Sequence, residues 1–225
     1  MARTAREGGG RAGDDGFTVS DRGHPVFAWF FDKLAPRADA RGTADRRRQL
    51  LATASGHVVE VGAGTGLNLQ HYPGTVDEVL AVEPDPYMFR RLALAMERAP
   101  VSVRLARGSA DDLPASAESV DVVVMSLVLC SVPDMATALA ESRRVLKPGG
   151  RLLFFEHVRA QDPRLARRQD RLDRIWGWFG GGCHPNRDAL GAIETAGFKM
   201  RDVERFNEPG ALLAKPHVLG WASNP

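Results

Sequence analysis

Gly62-Ala63-Gly64-Thr65-Gly66 follows directly on the apolar stretch His57-Val58-Val59-Glu60-Val61. Glycines at alternate positions after a short β-branched run mark a buried strand that turns sharply at its carboxyl end. Glycine belongs where φ is positive or where a ligand comes close to the backbone. A helix opening near Gly66 would aim its unpaired N–H groups at that ligand. The stretch therefore predicts a nucleotide-type cradle at the carboxyl edge of a parallel sheet, and few α/β arrangements present one.

The flanking sequence repeats one rhythm, an apolar strand and then an amphipathic helix. Strands are expected at 58–61, 78–82, 101–106, 120–125 and 152–155. Helices are expected at 43–54 with Thr43 as N-cap, from Gly66 to about 71, at 86–99 with proline near the first turn, and at 134–146 with Asp134 as N-cap. Lys147-Pro148-Gly149-Gly150 stops the last of these. The alternation predicts a doubly wound parallel sheet. In the last third, 159–179 carries Leu165, Leu172, Ile175, Trp176 and Phe179 at helical spacings among arginines and aspartates, and 186–196 reads as a helix ending at Gly197. Two closing strands, 199–206 and 217–222, flank the turn-like Asn207-Glu208-Pro209-Gly210 and are expected to pair antiparallel at the sheet edge.

Bulk properties narrow the function classes. The 225 residues suffice for one α/β domain, and a net charge of +2 gives no nucleic-acid footprint. Cys130 and Cys183 are too far apart in the chain to read as a disulfide framework or a zinc site, so no metal is expected and a reducing cytoplasm fits. No stretch approaches the about 20 apolar residues of a membrane span. Arg3 and Arg6 precede no apolar segment, so no signal peptide is read there. Residues 1–23 are expected to be a tail and 24–225 one domain, with an N-terminal lid and helices at 24–56, a cofactor-binding core at 57–158 and substrate-side helices with closing strands at 159–225. Phe27 and Phe31 lie in a dense apolar segment that either packs on the sheet or covers a pocket.

Spacing then selects the ligand. The dinucleotide pattern G-x-G-x-x-G needs its third glycine at position 67, which is leucine here. Glu60 would also sit beside a pyrophosphate, a like-charge contact. Glu83, at the end of the second strand, is placed to hold two ribose hydroxyls. Glu60-Val61-Gly62-Ala63-Gly64-Thr65-Gly66 is similar to the first motif of the class I S-adenosylmethionine methyltransferases. Ala81-Val82-Glu83-Pro84-Asp85 resembles their ribose-binding motif, Gly108-Ser109-Ala110-Asp111-Asp112-Leu113-Pro114 their adenine-edge loop, and 144–150 the turn before their fifth strand. The resemblance implies a Rossmann-like methyltransferase fold, with a seven-stranded, mostly parallel sheet and an antiparallel edge hairpin. It implies S-adenosyl-L-methionine as cofactor, held by Glu60, Gly62, Ala63, Gly64, Gly66, Asn68, Glu83, Pro84, Met88, Ser109, Ala110, Asp111, Ser126 and Leu127.

Methyl transfer belongs beyond the carboxyl ends of the fourth and fifth strands. There His157 and His184 are the candidate bases, each with an alternative structural role, and Phe27, Phe31, Cys130 and Trp176 are candidate pocket residues. Leu127-Val128-Leu129-Cys130-Ser131-Val132, Glu156-His157-Val158 and Gly182-Cys183-His184 narrow the likeness to the methyltransferase-like thiol methyltransferases, the bacterial phosphatidylethanolamine N-methyltransferases and the quinone-ring C-methyltransferases. The expected acceptor is a small, largely apolar molecule. A thiol comes first, with a phospholipid amine or a phenolic, quinone or secondary-metabolite oxygen or carbon as the alternative. A cofactor-binding protein without turnover and a NAD-dependent oxidoreductase are the readings from other classes. Membrane contact through 159–179 is the weaker reading, because acidic and amide residues interrupt its basic face.

Overall fold

The computed structural model describes residues 42–208 and 212–225; the expectations for residues 1–23 and for Phe27 and Phe31 lie outside the described residues. Seven strands form one sheet: β1 Gly56–Val61, β2 Val76–Val82, β3 Ser102–Ala106, β4 Val120–Ser126, β5 Leu146–His157, β6 Lys199–Asn207 and β7 Pro216–Ser223. Their order is β3-β2-β1-β4-β5-β7-β6. β1 to β5 run parallel, and β7 pairs antiparallel with both β5 and β6. The expected doubly wound sheet and edge hairpin are both present. The strand order reverses between β1 and β4, and in open α/β sheets ligands bind in the crevice beyond such a reversal.

Among the described residues five α-helices cover the sheet: α1 Ala44–Leu51, α2 Pro86–Met96, α3 Met135–Val145, α4 Pro163–Phe179 and α5 Ala189–Thr195. Alternate residues of each buried strand serve opposite layers. Val59, Val123, Leu152 and Phe154 pack with Leu139 of α3 and Ile193 of α5. Val58, Val122, Val124, Leu153 and Phe155 pack with Leu50 and Leu51 of α1 and Leu92 of α2. Both faces of the central strands are thereby buried, which accounts for their dense apolar sequence. Among the described residues no helix is long and apolar enough to cross a membrane.

Local departures from expectation have local causes. The glycine turn leads into turns and the short 3-10 helix Leu69–His71, with no α-helix there. Pro73 follows too soon for one to extend, and Asn68 and Tyr72 are committed to the Glu60 side chain. Thr43 stands at the N-cap position of α1 as expected, but its backbone is helical, with φ −62°, and its side chain makes no capping hydrogen bond. By contrast Asp85 caps α2, accepting from the N–H groups of Tyr87 and Met88, and Asp134 caps α3, accepting from Ala136 and Thr137. α3 ends at Val145, and Lys147-Pro148-Gly149-Gly150 lies within an extended β5, with Gly149 at φ +75° and a register shift opposite Val120 and Val122.

α4 begins at Pro163 and not at 159, because Asp162 accepts from the Arg164 N–H and proline fits the first turn. Gln169 anchors this helix. Fully buried, it accepts from the Ala160 N–H at 2.8 Å and donates to the carbonyls of Pro185 at 3.0 Å and Leu213 at 2.9 Å. α5 likewise starts later than expected, at Ala189, where the Asp188 carboxylate accepts from Gly191.

Candidate active site

Beyond the carboxyl ends of β1, β2 and β4 lies a cleft of about 740 Å³. Its floor is the glycine turn. Gly62, Gly64 and Gly66 all have positive φ, at 62°, 59° and 82°. They are glycines for different reasons. A Cβ on Gly62 would come within 2.9 Å of Val128 and one on Gly66 within 2.6 Å of Ala95, so both are required by packing. A Cβ on Gly64 would meet nothing nearer than 3.9 Å. At Gly64 the positive φ and an open approach to the backbone are what glycine provides.

Two buried carboxylates frame that floor. Glu83 accepts from the N–H of Gly64 at 2.8 Å through one oxygen and from the N–H of Asp85 at 2.8 Å through the other. Burial raises its pKa to about 7, against the pull of those two N–H donors. Glu60 accepts from Asn68 Nδ2 and from the Tyr72 hydroxyl, each at 2.9 Å. Burial raises it to about 7 as well, and the hydrogen bonds of Tyr72 and Asn68 and the charge of Arg47 only partly offset that. Arg47 of α1 donates to Asn68 Oδ1 at 2.8 Å, which ties the first helix to the turn.

The third wall is the loop after β3. Asp111 accepts a short hydrogen bond from the Ser109 hydroxyl. The loop is held by α3: Glu141 accepts from the Leu113 N–H at 2.9 Å, and Arg144 donates to the carbonyls of Leu113 and Ala115. The fourth wall is the turn after β4. Leu127 lies at φ +61° and its N–H donates to the Phe155 carbonyl at 2.7 Å. A non-glycine residue at positive φ stores strain that its surroundings must hold. The holder is Glu156, fully buried, whose carboxylate accepts from the N–H groups of Val128, Leu129 and Cys130 at 2.8, 2.9 and 3.3 Å.

Every residue expected to touch cofactor lines this cleft except Gly66, which packs behind it against α2. Arg47, Thr65, Leu67, Asp85, Asp112, Ser131 and Gly181 also line it and were not expected. Arg47 and Gly181 come from segments remote in sequence, with no local pattern to mark them. Cys130, His157, Trp176 and His184 are not in the lining. His184 turns its Nδ1 to Asp173 of α4, at 2.9 Å. His157 is half-buried, with Nδ1 3.3 Å from Sγ of Cys183 and its ring centroid 4.5 Å from that of His217. Burial pulls the His157 pKa down, but neighbouring Cys130 and Glu156 outweigh it and the net direction is up. His217 is pushed down to about 3 by burial, with neighbouring His157 adding to the effect; its Nδ1–H donates to the Lys215 carbonyl. Cys130 is a thiol held far above its usual range, first by its hydrogen bond to Cys183 and then by burial.

The cleft carries Glu60, Glu83, Asp85, Asp111 and Asp112 against Arg47 as its basic lining residue. Such a wall repels a pyrophosphate and suits a ligand with positive charge, a ribose diol and a purine. The strand order and this site define an α/β protein that binds a cationic nucleoside-type ligand. A family model described as a methyltransferase domain matches residues 59–154. The human thiol S-methyltransferase TMT1B is 34% identical over 209 residues, 87% of this chain and 85% of that protein. The ubiquinone/menaquinone biosynthesis C-methyltransferase UbiE of Syntrophotalea carbinolica is 31% identical over 201 residues, 75% of this chain and 84% of that protein. An S-adenosylmethionine-dependent methyltransferase of Mesorhizobium loti shares the fold with a TM-score of 0.61 at 21% identity, covering 83% of this chain and 99% of that one.

The chain belongs to the class I S-adenosylmethionine-dependent methyltransferases. It is an enzyme that uses S-adenosyl-L-methionine and a small-molecule acceptor.

Proposed function

We propose that the acceptor is a small, largely apolar thiol and that the product is its S-methyl thioether. The observation that carries the reading is the extent of the likeness to the human thiol S-methyltransferase. At 87% of the chain it reaches beyond residues 59–154 into the segments on the acceptor side. The cleft wall there agrees with it, since Leu127, Val128, Val132, Pro133 and Ala138 form an apolar surface beyond the end of β4.

Bound S-adenosyl-L-methionine supplies an electrophilic methyl group on a sulfonium. The residues of the chain bind and orient. The Glu83 carboxylate, now shared between the Gly64 and Asp85 N–H groups, is the acceptor for the ribose diol. The open face of Gly64 admits the amino-acid end, and Glu60, with Asn68 and Tyr72 fixed on it, sets the charge beneath that end. Ser109, Ala110 and Asp111 line the cleft where they would hold the adenine edge, and Met88 and Pro84 line it where they would pack on the ring. Leu127 and Val128 exclude water from the acceptor side, and Glu156 keeps them in place. Alignment and exclusion of water alone are worth about 7–11 kcal/mol in such displacements. A thiolate is already a strong nucleophile and asks little further of the protein. The bonds made by His157 and His184 lead away from the cleft, so neither is assigned as the base that deprotonates the acceptor.

The test is incubation with S-adenosyl-L-methionine and matched alkyl thiols, amines and phenols, read by mass spectrometry. S-methyl products from the thiols are expected. Methylation of an amine or phenol with every thiol left unmodified would sink the reading.

A further inference from the structure

Cys130, His157 and Cys183 are distant in sequence and meet in space. Both cysteines are free and buried, and the two sulfurs and a His157 ring nitrogen all lie within 4.8 Å of one another. Each comes from a different segment: Cys130 from the loop after β4, His157 from the last residue of β5, and Cys183 from the loop before α5. We infer that these three side chains form a binding site for a thiophilic divalent cation, Zn²⁺ in chemical class, beside the acceptor end of the cleft.

Three observations support the inference. The first is the ligand set. Two thiol sulfurs and one imidazole nitrogen are the donors Zn²⁺ prefers, and they suit oxygen-seeking cations poorly. The second is spacing. Zinc bonds of about 2.3 Å to sulfur and about 2.0 Å to nitrogen put tetrahedral ligand atoms roughly 3.5–3.8 Å apart. Nδ1 of His157 already stands 3.3 Å from Sγ of Cys183.

The third is preorganisation by bonds that do not involve the three ligand side chains themselves. Glu156, next to His157, clamps the loop of Cys130 by its three N–H bonds. The His184 N–H, next to Cys183, donates to the carbonyl of Cys130 at 2.7 Å. The backbones that carry the three ligands are therefore fixed to one another. A cluster held only for packing does not need that, and thiols are weak hydrogen-bond partners in any case. Ligands delivered by rigid, mutually braced segments are what a metal site requires.

Binding is a proton exchange with no redox change. The ion displaces the protons of both thiols and takes the lone pair of neutral His157 Nδ1. Three protein ligands leave a fourth position for water or another donor, the pattern of open zinc sites. Ser131 and Gly181, one and two residues from the two cysteines, line the cleft, so the site adjoins its wall. The inference goes beyond the thiol reading and does not rest on it.

The test uses the full chain, purified with a metal-free reductant, loaded with Zn²⁺, desalted and assayed by inductively coupled plasma mass spectrometry. About one Zn²⁺ per chain is expected, with about two protons released on binding in weak buffer. Loading with Co²⁺ is expected to give thiolate-to-metal charge-transfer absorption in the near ultraviolet. Cys130→Ser and Cys183→Ser should each weaken binding by more than the ~10–100-fold that loss of a supporting partner brings. Thermal melts by circular dichroism establish that the variants fold; where one does not, the wild-type proton count and cobalt spectrum decide. Wild-type protein that retains no Zn²⁺, shows no charge-transfer band and titrates both thiols freely, or that carries a Cys130–Cys183 disulfide as its settled state, overturns the inference. No readout depends on methyl transfer, so the result is separate from the choice of acceptor.

Discussion

Glu83 and Glu156 stand at the carboxyl ends of two strands, Glu83 directly after β2 and Glu156 as the penultimate residue of β5. Each is a buried carboxylate at a carboxyl edge, and each accepts hydrogen bonds from backbone N–H groups. Glu83 lines the cleft, and one of its partners, Gly64, is the turn residue whose backbone lies open to a ligand. Glu156 is not in the cleft lining; its three partners are consecutive residues of one loop, sealed under the wall. The same group thus does two jobs, and accessibility decides which. A carboxylate that faces the cleft can exchange partners when a ligand arrives. One enclosed by its own loop can only hold that loop in shape.

The largest effect expected from breaking this contrast is on stability. Glu156→Ala removes the acceptor of three N–H groups in a dry environment, and each unsatisfied donor costs about 1–3 kcal/mol. The strained turn at Leu127 loses its brace at the same time. We expect a loss of about 3 kcal/mol or more, measured by urea unfolding. A loss under about 1 kcal/mol would show that the loop relaxes without the carboxylate.

Glu83→Ala should separate affinity from stability. Hydrogen bonds to a charged group are worth about 1.5–3 kcal/mol, so S-adenosylhomocysteine should bind roughly 10–150-fold more weakly by calorimetry. Unchanged affinity would remove Glu83 from the ribose site.

The pH dependence sharpens the same point. Burial raises Glu83 from 4.5 to about 7 in the ligand-free protein. A carboxyl raised in the folded state binds more protons there than when unfolded. Stability of the ligand-free protein therefore falls as the pH rises from 4.5 to about 7 and levels off above that. Ribose hydroxyls donating to the ionised carboxylate favour the deprotonated form, so ligand binding expels the proton. Affinity for S-adenosylhomocysteine should be flat above about pH 7 and fall by up to about tenfold per unit below it. The slope should vanish in Glu83→Gln. A slope that survives there belongs to Glu60, the other carboxyl raised to about 7.

The two glutamates also show what a chain of this kind reveals in advance. The sheet, its order of elements and the cleft floor were legible because each depends on neighbours in sequence. Positive φ at Gly62, Gly64 and Gly66, the unbroken apolar run of β4, buried on both faces, and the cap at Asp134 are all set within a few residues. The helix expected after Gly66 failed where tertiary commitments took over local ones, as when Asn68 and Tyr72 turned to Glu60. The acceptor side was legible only in part. His157, His184 and Cys130 stood out by residue type, but His157 meets Cys183 and His217 and His184 meets Asp173, pairings that no spacing rule connects. Arg47 gave no signal, because an arginine in an amphipathic helix is ordinary until its surroundings are known, and Glu156 stood out only within the Glu156-His157-Val158 likeness, with nothing to mark it as the brace of the Cys130 loop.

The smallest expected effect lies at the opposite end of the sheet and serves as the control for the others. Asp121, one residue into β4, accepts from the His57 N–H at 2.9 Å and from Lys147 Nζ at 2.7 Å. It joins β1 to the start of β5, as Glu156 joins the ends of β4 and β5. Its side chain is about one-third exposed, at 34%, so water screens the pair. Its pKa is held below the usual carboxylate range despite some desolvation, because Lys147 and the His57 N–H favour the charged form. Asp121→Asn should then cost only about 0.5–1 kcal/mol, because the amide oxygen still accepts from one donor. That cost should disappear in the wild type as acid protonates Asp121, and S-adenosylhomocysteine affinity should be unchanged throughout. If this distant substitution lowered affinity as Glu83→Ala does, the loss at Glu83 would report general loosening of the sheet and not a contact in the cleft.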